Sequence, residues 1–155
     1  MDLRIFKLLL LLQVPFVFCN CRDGFQRHGE KCYYFSQDVE PFAGAQVICD
    51  QFNGHLTEML TPGEITYVNS QVKLKHNGYY WIGLTDLLEQ DIWTWITSEV
   101  NLDQTVSHWA PNEPSSDGAQ FCVVVSPNGN WHDGHCSDKF HYVCEYRDEN
   151  TAIVG

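Results

Sequence analysis

Cysteine count constrains the fold of this 155-residue chain more than any other feature. There are seven, an odd number, and the N-terminus accounts for the extra one. Arg4 and Lys7 form a short positive region, and Leu8 to Phe18 is an apolar run interrupted only by Gln13 and Pro15. Val17 and Cys19 stand three and one residues before a signal-peptidase cut, so residues 1–19 read as a signal peptide and the mature chain starts at Asn20. The run is well short of the about 20 residues that a membrane-spanning helix needs. A lipoprotein reading of Cys19 is disfavoured by the bulky Phe16 and Phe18. Cys19 leaves with the signal, and Cys21, Cys32, Cys49, Cys122, Cys136 and Cys144 remain. An even count in a secreted chain reads as three disulfides, with about fifteen pairings open at this point.

Apolar residues make up 44% and aromatics 14%, enough for one core and too many for a disordered chain. The formal charge is −11, and loss of Asp2, Arg4 and Lys7 with the signal takes it to −12. Such a balance repels phosphate backbones and anionic bilayers, so neither nucleic acid nor membrane is an expected partner. No Asn-x-Ser/Thr sequon occurs.

Lys31 to Ser36 reads as a strand, and Phe42, Ala45, Cys49 and Phe52 recur at helical spacing up to a stop at Asn53-Gly54. Thr61-Pro62-Gly63-Glu64 is a capping box that opens a second helix with Ile65, Val68 and Val72 on one face, closed by Asn77-Gly78. The second half changes to aromatic-rich strands at Tyr79–Leu84, Asp91–Ile96, Phe121–Val125, around Trp131, and at His141–Tyr146. Between Thr97 and Gln120 no period is visible, and Pro111, Pro114 and Ser115-Ser116-Asp117-Gly118 indicate an irregular loop. A loop of that length in a small domain is usually functional or disordered, and its position between cysteine-anchored regions favours function.

From Cys21 to Tyr146 the chain resembles the C-type lectin domain family. The carrying motifs are Trp81-Ile82-Gly83-Leu84, Trp109-Ala110-Pro111-Asn112-Glu113-Pro114, Trp131-His132-Asp133 ahead of Cys136, and Tyr142-Val143-Cys144-Glu145. The resemblance implies an α+β fold with two helices flanking small antiparallel sheets and a long irregular loop. It implies residues 20–146 as the domain and 147–155 as a short tail. It also selects a disulfide pairing, Cys21 with Cys32, Cys49 with Cys144, and Cys122 with Cys136. Trp81, Leu84 and Trp131 read as core packing.

In sugar-binding members of the family, calcium is chelated by a Glu-Pro-Asn type triplet, an Asn-Asp pair after the tryptophan, and a Glu before the next cysteine. Sugar hydroxyls complete the shell of a cation that takes about 6 to 8 oxygens. Glu113, Pro114 and Asp133 match that pattern. Ser115 stands for the Asn of the triplet, His132 for the Asn of the pair, and Gln120 for the Glu, with Asp117 as a possible replacement carboxylate. The resemblance therefore implies Glu113, Ser115, Asp117, Gln120 and Asp133 as calcium ligands, and Glu113, Ser115, Gln120, His132 and Asp133 as the carbohydrate site. Glutamate in the triplet leans toward mannose-type sugars. Asp86, Glu89 and Asp91 are candidates for a second metal site, though a solvated acidic loop explains them better. His132, Asp133 and His135 offer a zinc or copper alternative.

The implied function is that of a secreted carbohydrate-binding protein acting in glycan or pathogen recognition. The alternative is a calcium-independent lectin-like module that binds protein. No Gly-x-Ser-x-Gly, His-Glu-x-x-His or phosphate loop occurs, so an enzyme is not expected. No spare thiol is left for a disulfide-linked dimer, which leaves a noncovalent homo-oligomer open.

Overall fold

The computed structural model describes residues 21–115, 118–119 and 121–147. The signal peptide, the tail from 148 onward, and the candidate ligands Asp117 and Gln120 lie outside them. Strands β1 (Gln26–His28) and β2 (Lys31–Phe35) are followed by helix α1 (Phe42–Gln51), β3 (His55–Leu56) and helix α2 (Pro62–Lys75). Then come β4 (Tyr80–Thr85), β5 (Thr94–Trp95), β6 (Cys122–Val125), β7 (Trp131–Gly134) and β8 (His141–Arg147). The main strand order is β1-β2-β8-β4-β6-β7, with β3 pairing β8 and β5 pairing β4. Neighbours are antiparallel except β4 and β8, which run parallel through Tyr80–His141 and Trp81–Tyr142. That parallel seam joins what the sequence reading treated as separate antiparallel sheets.

Both faces of the central strands are covered, which is why β4 and β6 read as unbroken apolar runs. Tyr80, Ile82 and Leu84 of β4, with Val123 and Val125 of β6, pack with Ile65, Val68 and Val72 of α2 in one cluster. Trp81, Cys122 and Val124 point the other way, into a cluster with Phe42, Ala45 and Cys49 of α1. Gly83 is required by close approach, because a Cβ there would lie 2.7 Å from the Leu56 carbonyl oxygen. The Gly83 N–H instead donates to the Thr57 carbonyl at 2.8 Å.

All three disulfides have the expected pairing. The capping box of α2 is present in both directions, and its C-cap is His76, in a left-handed conformation one residue before the expected Asn77-Gly78 stop. The strand expected over Asp91–Ile96 is only Thr94–Trp95, since Asp91 sits at φ 65° and the preceding residues form a turn. Within 97–120, Gln104–Val106 form one 3-10 turn.

Across the sheet from the loop lies a buried ionic network. The Lys31 ammonium contacts Glu64 at 2.6 Å and Glu145 at 2.8 Å, and donates to the Glu58 carbonyl at 3.1 Å. Glu145 also accepts from the Thr57 hydroxyl at 2.7 Å and lies 3.1 Å from His55 Nε2. The network ties β2, β8 and the first turn of α2 together.

Candidate functional site

The irregular loop is fastened to β7 by main-chain hydrogen bonds. Trp131 N–H donates to the His108 carbonyl at 2.8 Å, and Ala110 N–H donates to the Trp131 carbonyl at 2.9 Å. Trp109 thus forms a parallel bridge with Trp131. Beneath it the Trp131 indole donates to Asn69 of α2 at 3.1 Å. A turn follows, with Glu113 N–H donating to the Ala110 carbonyl at 3.0 Å and Asn112 at φ 68°. The Glu113–Pro114 bond is cis. These constraints set Glu113 and Ser115 beside His132 and Asp133 of β7.

Four expected residues therefore meet. Ser115 donates its N–H to Asp133 Oδ1 at 2.9 Å and its hydroxyl to Oδ2 at 3.2 Å. His132 Nδ1 lies 3.1 Å from Glu113 Oε1. Tyr79 meets the His132 ring edge-on at 5.9 Å between centroids. The other Glu113 oxygen, Oε2, is buried and meets no donor. Glu113 and Asp133 interact directly, and two ionised carboxyls at that range repel.

Titration follows from this geometry. Asp133 is only 6% exposed, and burial together with the Glu113 carboxyl pushes its pKa up from 3.8 to about 6. Burial acts to raise Glu113 too, but hydrogen bonding with Asp133 and His132 outweighs it and holds Glu113 below its ordinary 4.5. The pair thus keeps one proton, on Asp133, at mildly acidic pH. Because its folded value is raised, the stability that the Asp133 carboxyl contributes is fully present below 3.8 and is lost as pH rises through about 6. Asp133→Asn, which stays neutral, is expected to raise the melting temperature of the metal-free protein at pH 7.5 by about 2 to 5 °C and to leave it nearly unchanged at pH 4. Calorimetry in EDTA at the two pH values checks this.

His135 does not join His132, since its Nδ1 pairs with the Ala119 carbonyl at 2.9 Å. Among the described residues no three His, Cys, Asp or Glu side chains are grouped to hold a metal, so the zinc or copper alternative loses its third ligand. For calcium the unserved Glu113 oxygen and the adjacent Asp133 carboxyl fit a hard cation, with the Ser115 hydroxyl as a neutral oxygen. Elsewhere one expectation changes. Asp86 is no part of a solvated acidic loop: it is buried, and its Oδ2 accepts the Asp91 N–H at 3.2 Å.

Residues 38–146 match the family model described as Lectin C-type domain. The chain belongs to the C-type lectin domain family. It is 30% identical over 141 residues to human lithostathine-1-alpha, covering 87% of this chain and 83% of that protein. Among solved structures it is similar to the mouse scavenger receptor C-type lectin carbohydrate-recognition domain, with a TM-score of 0.75 and 25% identity over 82% of this chain and 96% of the other. The cow CD23 C-type carbohydrate-recognition domain, solved in the presence of a GlcNAc2Man3 oligosaccharide, superposes with a TM-score of 0.72 and 26% identity, covering 83% and 96%. The chain is thus a lectin-like module, and no helix among its described residues is long and apolar enough to cross a membrane.

Proposed function

We propose that this chain is a secreted glycan-binding protein whose site is the cluster of Glu113, Ser115, His132 and Asp133, working with calcium held by Glu113, Ser115 and Asp133. The observation that carries this reading is the buried Glu113 oxygen without a donor, set against a second carboxyl that burial and repulsion keep protonated up to about pH 6. Such a pair is costly unless a cation or hydroxyl donors arrive to serve it. Calcium, when bound, supplies a hard charge whose open positions take sugar hydroxyl oxygens. Ser115 fixes the Asp133 carboxyl through both of its oxygens, and His132 orients Glu113 through Oε1. The remaining lone pairs of the two carboxyls accept hydrogen bonds from sugar hydroxyls. Asp117 and Gln120 are proposed to complete the ligand set. The oligosaccharide present with the cow CD23 domain supports a mannose-type ligand, as does glutamate at 113.

Catalysis on a glycoside is disfavoured by the same geometry. Glycosidase carboxyls stand about 5 Å or more apart to admit the bond they cleave, whereas Glu113 and Asp133 are close enough to share a proton. A calcium-independent reading draws on one observation: among the described residues only two carboxylates converge here, and one already pairs with His132.

Retention of the mature protein on immobilised mannose-type and galactose-type glycans, in calcium and in EDTA, separates the readings. Retention on mannose-type glycans is expected in calcium, with a loss of at least about tenfold, worth about 1.4 kcal/mol, in EDTA or in Glu113→Ala. Retention that survives both would overturn the calcium mechanism.

A further inference from the structure

The loop after β4 and the cis proline enclose a cavity of about 370 Å³, lined by Asp86, Gln90, Asp91, Trp93, Pro114 and Phe121 among others. It borders the glycan site at Ser115, but its chemistry differs. Asp86 is 6% exposed, and its Oδ1 is buried without any partner, while Oδ2 is satisfied by the Asp91 N–H. Burial pushes this carboxyl up from its ordinary 3.8, as expected of an acid that lacks a counter-charge. No Lys or Arg is among the described lining residues.

The kind of cation that fits can be argued from the same residues. No three acids or imidazoles among the described residues are grouped for a metal, and the volume far exceeds that of one ion. The Trp93 ring forms part of the wall and favours an organic cation. A single free carboxylate oxygen suits an ammonium, a point charge, better than the two-pronged fork of a guanidinium. Immediately after Asp86, Leu87 and Leu88 are 54% and 66% exposed, and Ile92 is exposed as well. An apolar collar around a desolvated charge is the arrangement of a protein interface anchor. The net charge of −11 draws basic partners toward the chain.

We propose that this cavity is the docking site for a lysine side chain of a protein partner, its ammonium on Asp86 Oδ1 and its apolar neighbours against Leu87, Leu88 and Ile92. The site is independent of the glycan reading and needs no calcium.

The test titrates the mature protein in EDTA with the peptide acetyl-Leu-Lys-Leu-amide and with its ε-acetylated form, read by backbone and indole NMR shifts. Saturable shifts at Asp86, Asp91 and the Trp93 indole are expected, with affinity at least about tenfold weaker for the acetylated peptide and for Asp86→Asn. Glu113→Ala is expected to leave peptide binding unchanged, which separates this site from the glycan site. Should Asp86→Asn fail to fold, Gln90→Lys keeps Asp86 and places an ammonium of the chain itself in the cavity, where it is expected to block the peptide. Equal binding of both peptides, no binding at millimolar peptide, or unchanged binding by folded Asp86→Asn or by Gln90→Lys would overturn the proposal. Displacement of the peptide by calcium would overturn it too, by making the cavity a metal site.

Discussion

Replacing Cys49 and Cys144 together by alanine is expected to lower the free energy of unfolding by about 4 to 5 kcal/mol. Their bond spans 95 residues of sequence and ties α1 to β8. In the chain-entropy account, the cost of opening such a loop in the unfolded chain grows with the logarithm of its length. The Cys21–Cys32 bond, with a separation of only 11, should therefore be worth about 3 kcal/mol or less. Both Cys49 and Cys144 are fully buried within the α1-side cluster, so alanine also removes packed sulfur. Against a typical stability of about 5 to 15 kcal/mol, the loss leaves a marginal domain. Urea denaturation of the wild type and the two double alanine variants, without reductant, measures the difference. A Cys49/Cys144 variant less affected than the Cys21/Cys32 variant would contradict the account.

Lys31→Met is expected to cost about 3 to 5 kcal/mol at pH 7, because it strands carboxylates that the ammonium now neutralises. Lys31 is 8% exposed and Glu145 is 2% exposed, so water cannot replace the lost charge. Methionine fills the volume of the side chain, which leaves the ionic effect as the main difference. The deficit should shrink in acid. Burial raises Glu64, but the hydrogen bond and charge of Lys31 outweigh it and hold that carboxyl below its ordinary 4.5. A depressed carboxyl stabilises the fold above its unfolded value and loses that contribution as pH falls. The wild type thus gives up its advantage below about pH 4.5, and the two proteins should converge near pH 3. Paired urea curves at pH 7 and pH 3.5 check this, and a deficit that is constant with pH would point to packing instead.

Much of the fold could be read from local chemistry. The capping box at Thr61–Glu64 fixed the start of α2, and the unbroken apolar runs of β4 and β6 marked strands covered on both faces. Two short strands gave no such sign: β1 is exposed throughout, and β3 has two residues, so neither shows alternation. The Asp91–Ile96 strand was too long because a left-handed residue starts the turn that shortens it. Disulfide pairing did not follow from the residues alone and came from the family resemblance.

The candidate site was legible in part for a similar reason. Glu113, Ser115, His132 and Asp133 could be named from motifs, but their mutual contacts depend on Trp109 bridging to Trp131 across the sequence. No periodicity encodes that bridge. The burial of Asp86 was hidden because a run containing Asp86, Glu89 and Asp91 looks hydrated in one dimension. The Lys31–Glu145 pair was missed altogether, since its partners are at opposite ends of the domain and meet only through β2–β8 pairing.

The central claim is that Glu113 and Asp133 form a cation site that presents calcium to sugar hydroxyls. A thermal melt of the mature protein at pH 7.5, across calcium concentrations up to about 10 mM, tests it most directly, since extracellular modules bind calcium at about 0.1 to 1 mM. A ligand bound only by the folded state stabilises by about 2.7 kcal/mol at hundredfold excess over its dissociation constant. The account predicts a graded rise in melting temperature that Glu113→Ala abolishes. A flat melting temperature in the wild type, or a rise that Glu113→Ala leaves intact, would contradict it.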